Sequence, residues 1–252
     1  MILVTGAEGY IGKEVMRRLI DAIPTDIEEW DIRTPAREVF SREITTVVHL
    51  AALVRVGESV DRPIDYYDTN VSGTLNVIKA FPDAKMVFAS TGAAFDPTSP
   101  YAHSKVIAEK LVKDCCKEYT IFRFYNVGGG IPTNPEGLPM AIKKAEETGK
   151  FTIFGEDYDT KDGTCVRDYI HVSDIADAIV NAVRLPSANT DYEPLGSGRS
   201  YTVKEYADTY QRVHGNKFDV VYGPRRQGDN PISEVPFVSR FIEPKMTLED
   251  IV

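Results

Sequence analysis

The chain has 252 residues, of which 42% are apolar and 27% are charged, and its net charge is −9. This length can bury the core of one large domain, or of a domain with a small lobe attached. An acidic chain without a basic block is not expected to bind nucleic acid or an anionic membrane, whereas a phosphorylated small molecule needs only a few local cations. The mean hydropathy of −0.24 and the lack of a long apolar run argue against a membrane span. We therefore expect a globular cytoplasmic protein, and an enzyme rather than a scaffold.

The beginning of the chain and its cysteines further narrow the class of protein. Residues 2–5 are strand-like and follow Met1 directly, so no signal peptide is expected. Cys115 and Cys116 are adjacent and Cys165 stands apart, which fits neither a disulfide framework nor a metal-ligand spacing. No metal site is predicted.

Strand-like and helical segments alternate through the first half of the chain. The predicted strands are residues 2–5, 46–50, 86–90 and 120–124, and the predicted helices are residues 11–22, 64–80 and 99–117. The later strands are continuous apolar runs, as expected for parallel strands that are covered on both faces. This alternation predicts an α/β fold, namely a doubly wound Rossmann-like parallel sheet built from right-handed crossover units.

After residues 128–130, which are all glycine, the segments become shorter and turns more frequent. We predict a dinucleotide-binding Rossmann-like domain over residues 1–130 and a small C-terminal lobe over residues 131–252, mainly for substrate binding. The helical segment 172–185 could pack back on the first domain.

Three glycines follow the first strand and open the first helix. Gly6 permits a tight turn, Gly9 lets a pyrophosphate approach backbone amides, and Gly12 allows close packing of helix on strand. An ordinary turn could carry glycines too, but this position in a strand–helix unit favours dinucleotide binding.

Tyr101 and Lys105 are spaced so that they share one face of a predicted helix. A phenol with a reference pKa near 10 acts as a base at neutral pH only if a cation stabilises the phenolate. Lys105 and an oxidised nicotinamide would provide that charge. Thr91, at the carboxyl end of a predicted strand, could hydrogen-bond both the phenolate and a reacting alcohol. By itself, the Tyr101–Lys105 pair could also be an ordinary exposed pair.

In this order, these elements resemble the extended short-chain dehydrogenase/reductase superfamily and, within it, the UDP-glucose 4-epimerase family. The resemblance extends over nearly the whole chain, through residues 49–52, 56–60, 66–74, 123–127, 162–172 and 224–229. It implies bound NAD and a UDP-hexose substrate, whose C4 is transiently oxidised to a 4-keto sugar and then reduced on the other face.

The same resemblance implies roles for individual residues. Tyr101 would be the base, Lys105 would hold it ionised, and Thr91 would relay or position the proton. The positions that match cofactor-binding residues are Gly6, Gly9, Tyr10, Ile11, Gly12, Asp31, Ile32, Leu50, Ala51, Ala52, Asn70, Tyr101, Lys105 and Tyr125. The positions that match substrate-binding residues are Thr91, Tyr101, Asn126, Phe154, Arg167, Arg226, Asp229 and Ser233. Arg167 and Arg226 could clamp a diphosphate, although a single arginine is more often a solvated surface residue.

The chain also departs from the family pattern. Asp31 could bind the adenosine ribose or lie beside the adenine, and with either assignment about one strand–helix unit is missing before His49. Val54 stands where the family often has a cofactor-binding lysine. The loop between Thr91 and Tyr101 is short, which predicts an open site.

The same residues bear on alternative reactions, on the choice of sugar and on the oligomeric state. Gly92 and Ala93 replace the Asp–Glu pair of the related sugar dehydratases, which argues against dehydration. A 4-ketoreductase, another nucleotide-sugar dehydrogenase and an idle NAD-binding protein remain alternatives. Ser233 stands where relatives restricted to plain hexoses tend to carry tyrosine, so N-acetyl hexoses are possible substrates. Family members commonly form homodimers through the helices that correspond to residues 64–80 and 99–117.

Overall fold

The computed structural model describes residues 1–36, 43–131, 137–187, 189–215, 217–226 and 230–252. The strands are β1 (Ile2–Thr5), β2 (Ile23–Thr25), β3 (Thr46–His49), β4 (Lys85–Thr91), β5 (Tyr119–Phe124), β6 (Asn126–Gly128), β7 (Lys150–Phe154), β8 (Val166–His171), β9 (Glu193–Leu195), β10 (Ser200–Thr202), β11 (Asp219–Gly223) and β12 (Ile232–Ser233). The helices are α1 (Tyr10–Met16), α2 (Val56–Asp61), α3 (Pro63–Tyr67), α4 (Gly73–Ala80), α5 (Pro100–Cys115), α6 (Leu138–Thr148), α7 (Val172–Arg184), α8 (Val203–His214) and α9 (Leu248–Ile251).

The chain folds into two compact units. The first comprises Met1–Phe124, Ile175–Glu193 and Arg240–Ile242, and the second comprises Tyr125–Asp174, Pro194–Ser239 and Glu243–Val252. None of the helices in the described part of the chain has both the length and the apolarity that a bilayer crossing requires.

The central sheet confirms the predicted fold class. Its strand order is β2-β1-β3-β4-β5-β9, and β1 through β5 pair in parallel. The side chains of Leu3, Val47, Met86 and Ile121 are completely buried. Strands that are covered on both faces must be apolar throughout, which is why these runs were recognisable in the sequence.

Within the described residues, β2 is an edge strand of this sheet, which agrees with the expected loss of a strand–helix unit. Pro24 lies in β2 and cannot donate a ladder hydrogen bond, a property that suits an edge. A few residues later the chain packs onto α4, where the Asn76 side chain donates to the Ile32 carbonyl over 2.9 Å. A Cβ on Gly73 would lie only 2.8 Å from Ile32 Cδ1, so glycine makes room for this short path.

Two predicted helices differ from the observed ones. The first ends at Met16 rather than at residue 22, because the chain must turn to enter β2 at Ile23, and Ile20 is 82% exposed. The second is interrupted by a π-helical turn, Asp68–Ser72, between α3 and α4. A π-turn adds a residue to the helix and redirects the side chains around it.

The second unit contains short strands around its own core. β8 is flanked by β10 and β12, β6 also pairs with β8, and β7 pairs with β11 in parallel. The core includes Ile153, Tyr169 and Tyr206, each of which is at most 1% exposed.

Candidate functional site

A cavity of about 510 Å³ lies in the first unit at the carboxyl ends of β1, β2 and β3. The chain passes from β1 to β2 on one side and then to β3 on the other, so this is the point where the strand order reverses. Parallel α/β sheets bind ligands at this position. Of the predicted cofactor-binding residues, the cavity is lined by Gly6, Gly9, Asp31, Ile32, Leu50, Ala51 and Ala52.

The glycine turn forms one wall of this cavity. Gly6 has a φ of +70°, and a Cβ there would lie 2.7 Å from the Ala51 amide nitrogen. A Cβ on Gly12 would lie 2.0 Å from the Gly6 carbonyl oxygen. The turn therefore needs the absence of side chains, both for its own conformation and for α1 to pack against it. This cradle fits the pyrophosphate of a dinucleotide.

Asp26 is a site residue that the sequence analysis missed. It lines the cavity directly after β2, and its carboxylate accepts hydrogen bonds from the backbone amides of Glu8 and Ile27, each over 2.9 Å. An acidic residue after the second strand of this fold binds the adenosine ribose hydroxyls of NAD. The distance of Asp26 from Gly6 along the chain already indicated this role. Asp31 was assigned instead in the sequence analysis, because β2 is too short to be recognised as a strand.

Asp31 lies in the same cavity with a different partner. Its carboxylate forms a bidentate pair with the Arg33 guanidinium, with distances of 2.9 Å and 2.6 Å. These hydrogen bonds hold the pKa of Asp31 below its usual value. Ile32, the next residue, also lines this cavity.

Thr25 supplies a further polar group in the cavity lining. Its buried Oγ1 has no hydrogen-bond partner among the described residues. A buried hydroxyl without a partner costs free energy, which a bound polar ligand would offset.

Asn70 does not line the cavity, but it holds a segment that does. From the π-helical turn, its side chain accepts from the Leu53 amide (2.9 Å) and donates to the Leu53 carbonyl (3.0 Å) and to Ser104 Oγ (2.9 Å). Asn70 is 1% exposed, and it thereby links residues 50–53 to α5.

The three predicted catalytic residues are brought together in the first unit. Tyr101, on α5, is 8% exposed and hydrogen-bonds with Thr91 at the end of β4. Burial raises the pKa of Tyr101, while the hydrogen bond with Thr91 acts in the opposite direction. The phenolate form therefore requires a nearby positive charge.

Lys105 lies on the next turn of α5. It is 4% exposed, and its Nζ lies 4.5 Å from the centroid of the Phe88 ring. Burial lowers the pKa of Lys105 to about 8, and the Glu109 carboxylate opposes this shift. The ammonium is thus charged at neutral pH and loses its charge as the pH rises through about 8.

His49 is buried nearby and contributes no second cation. Burial and the charge of Lys105 lower its pKa to about 3. Its ring nitrogens lie within hydrogen-bonding distance of Thr5 Oγ1 (2.7 Å) and Thr74 Oγ1 (3.0 Å). The neutral imidazole therefore links the strand ends to α4.

Tyr10, Ile11 and Gly12 open α1, outside the cavity lining, and Tyr125 lies in the second unit. The predicted substrate-binding residues of that unit fall on two parts of its structure. On β6, Asn126 donates to the Asp168 carbonyl over 3.0 Å, and on β12 Ser233 is in register with Arg167 of β8. The Arg167 guanidinium donates to the Asn230 carbonyl over 2.8 Å, so it supports the segment that leads to Ser233.

The carboxyl ends of β7 and β11 form the second group. The Arg226 guanidinium stacks on the ring of Phe154, with 3.9 Å between its central carbon and the ring centroid, and Arg226 is exposed. Arg225 instead pairs with Asp157 at 2.8 Å. Arg226 has no ion-pair partner within the residues that the structure describes. Asp229 lies outside the described residues.

Comparisons with known proteins agree with this geometry. The model of the NAD dependent epimerase/dehydratase family matches residues 2–195. A UDP-glucose 4-epimerase of Rhizobium meliloti (strain 1021) is 36% identical, over 91% of this chain and 86% of the relative. One from Lactobacillus helveticus is 33% identical, over 90% of this chain and 86% of the relative.

Solved structures give the same result. The UDP-glucose 4-epimerase of Bifidobacterium longum in complex with NAD+ and UDP superposes with a TM-score of 0.86 at 28% identity, covering 99% of this chain and 95% of that one. The UDP-Glc/GlcNAc 4-epimerase of Campylobacter jejuni has a TM-score of 0.78 at 28% identity, covering 98% and 95% of the two chains.

The position of Asp26 gives a testable prediction for cofactor binding. Replacing Asp26 by Asn removes a charged hydrogen-bond acceptor, so the binding free energy for NAD should weaken by about 1.5–3 kcal/mol. Calorimetric titration of the apoprotein measures this change, with Asp21→Asn on the exposed surface as the control. An unchanged Kd in the Asp26 variant would exclude contact with the ribose.

Proposed function

The chain belongs to the NAD dependent epimerase/dehydratase family and, within it, to the UDP-glucose 4-epimerases, and we propose that it interconverts UDP-glucose and UDP-galactose. One observation carries this proposal: the buried Tyr101 and Lys105 and the half-buried Thr91 form a candidate acid–base group in the unit that contains the dinucleotide cavity. The glycine cradle and Asp26 suit NAD. When bound, NAD supplies reversible hydride transfer at C4 of the sugar.

The residues of the chain carry out the proton chemistry. Tyr101 takes the proton of the sugar 4-hydroxyl and later returns it, and Thr91 orients the phenol through its hydrogen bond. Lys105 stabilises the phenolate against the cost of burial. Because the same proton is taken up and returned, the reaction leaves the enzyme unchanged.

The central test is conversion of UDP-galactose to UDP-glucose by purified protein, followed by product separation. Tyr101→Phe should lower kcat by about 10²–10⁴-fold, because it removes the acid–base group. NAD content should stay unchanged, and Tyr222→Phe on the exposed surface should retain turnover. Net production of NADH by the wild type would instead indicate a dehydrogenase.

In the second unit, we assign the UDP moiety to Phe154, Arg167, Arg226, Asn126 and Asp229. The support is a cation stacked on an aromatic ring at the carboxyl ends of two parallel strands. Such a cation can form charge-assisted hydrogen bonds with a diphosphate.

Arg226→Ala should raise KM for the UDP-sugar by roughly 10- to 100-fold, since it removes one charge-assisted contact. Steady-state kinetics at saturating NAD measure this change. Arg225→Ala is the matched control, because Arg225 is already paired with Asp157 and its loss should raise KM less. Equal effects of the two variants would contradict the assignment.

We also propose that Ser233 admits N-acetylated hexoses. Ser233 is half-buried beside Arg167, and a hydroxymethyl group leaves more room than a phenol would. The wild type should therefore also interconvert UDP-N-acetylglucosamine and UDP-N-acetylgalactosamine.

The variant Ser233→Tyr tests this proposal in an assay where plain and N-acetylated UDP-hexoses compete as substrates. The variant should lose the N-acetyl activity while its kcat/KM for UDP-glucose stays within about threefold. Ser233→Ala serves as the control for loss of the hydroxyl alone. An equal loss on both substrates would make the position structural.

A homodimer is the assembly we propose. Apolar side chains are exposed on three neighbouring helical segments of the first unit, among them Val60 (63%), Ile64 (80%) and Ile107 (42%). Exposed apolar surface of this kind is typical of a protein–protein interface.

A further inference from the structure

A buried charged cluster lies one helical turn beyond Lys105. Glu109 of α5 is 3% exposed and Arg123 of β5 is 8% exposed. Arg123 donates to both carboxylate oxygens, from Nε and from Nη2, with each distance 2.8 Å. Ser90 Oγ, at the residue before Thr91, donates to Glu109 Oε1 as well. The carboxylate thus accepts three hydrogen bonds from donors on two strands.

Arg123 is itself fixed by aromatic rings. Its guanidinium carbon lies 4.7 Å from the Phe95 ring centroid and 4.2 Å from that of Tyr192. The two rings are in edge-to-face contact, with their centroids 4.9 Å apart. Phe95 belongs to the 3₁₀ turn that directly follows Thr91. Such cation–π contacts hold the guanidinium in one orientation.

The spacing of residues along α5 shows which ion pair the contact between Arg123 and Glu109 prevents. Tyr101, Lys105 and Glu109 follow one another at intervals of one turn, and all three are buried. Helical side chains lean toward the N-terminus, so the Glu109 carboxylate extends over the turn of Lys105. A buried carboxylate without a partner would pair with the nearest cation. For Glu109 without Arg123, that cation is Lys105.

A Lys105–Glu109 pair would draw the ammonium away from Tyr101. In the structure Lys105 Nζ instead lies on the face of Phe88, and none of the described residues forms a hydrogen bond with it. Among the described residues, the titratable groups that interact electrostatically with Lys105 are Glu109 of its own helix and His49 of β3, and Tyr101 lies one turn before it. Since His49 is neutral, Glu109 is the group that competes for the ammonium.

We propose that Arg123 is a positioning residue, which occupies the Glu109 carboxylate and thereby keeps the Lys105 ammonium available to Tyr101 and to the bound substrates. The catalytic consequence rests on the proposed epimerase function, whereas the partner choice of Lys105 does not.

The test compares Arg123→Met with the double variant Arg123→Met/Glu109→Leu. Arg123→Met frees the carboxylate to capture Lys105, so kcat should fall by about 10²-fold. KM for the UDP-sugar should stay within about twofold, because the groups assigned to UDP lie elsewhere in the chain. The double variant removes the competitor too, and replacing both members of a buried pair by apolar residues is often tolerated.

The double variant should therefore recover at least about tenfold of the lost kcat. Glu109 no longer raises the pKa of Lys105 in this variant, so turnover is compared at about pH 6.5, where the lysine keeps its charge. Arg17→Met, which breaks the exposed pair with Glu14, is the matched control and should keep wild-type turnover. If Arg123→Met does not fold, the double variant still decides the question. A double variant as inactive as Lys105→Met would overturn the proposal.

A second readout does not depend on turnover. In protein with isotope-labelled lysine, NMR titration should show a raised pKa for Lys105 in Arg123→Met and no rise in the double variant. With these shifts and an inactive wild type, the proposed function would fail while the positioning role of Arg123 stands. With an active wild type, an unshifted Lys105 and wild-type kcat in Arg123→Met, the positioning role would fail alone.

Discussion

Burying an ammonium next to a phenol is costly, and much of the first unit is arranged around that cost. Lys105 is 4% exposed and Tyr101 is 8% exposed, so both lose most of their hydration. Desolvation favours the neutral form of each group and lowers the pKa of the lysine to about 8. The ionised form of either group therefore needs an opposite charge nearby.

The residues around Lys105 leave its ammonium without a hydrogen bond in the described part of the chain. Phe88 offers Lys105 a ring face rather than a hydrogen-bond acceptor, and His49 stays neutral. The Glu109 carboxylate is nearby but is engaged by Arg123 and Ser90. An ammonium in such a place can respond to a bound substrate and cofactor, because few existing contacts have to be broken.

The cavity in the first unit shows how a shortened chain can keep a binding site. Few residues separate β2 from β3, yet Asp26, Asp31 and Ile32 in this stretch all line the cavity. Gly73 makes this possible by admitting the Ile32 side chain against α4. Trp30 is 6% exposed and packs edge-to-face on Phe81, with ring centroids 6.3 Å apart, which fills the core along this path.

Local patterns accounted for four strands of the central sheet (β1, β3, β4 and β5), the glycine turn and the spacing of Tyr101 and Lys105. Buried parallel strands must be apolar, tight turns need glycine, and helix periodicity places residues four apart on one face, so each leaves a signal in neighbouring residues. Asp26 was not predicted as a site residue because the strand before it, β2, has only three residues and its end cannot be recognised from the sequence. The predicted length of α1 was wrong because the position where the chain enters β2 is set by the sheet and not by the sequence of α1. Sequence by itself thus determined the fold class, and helix periodicity placed Tyr101 and Lys105 on one face of α5. Tertiary structure decided the partners of Glu109 and Arg123, because that pair joins a helix and a strand through contacts that neither segment encodes alone.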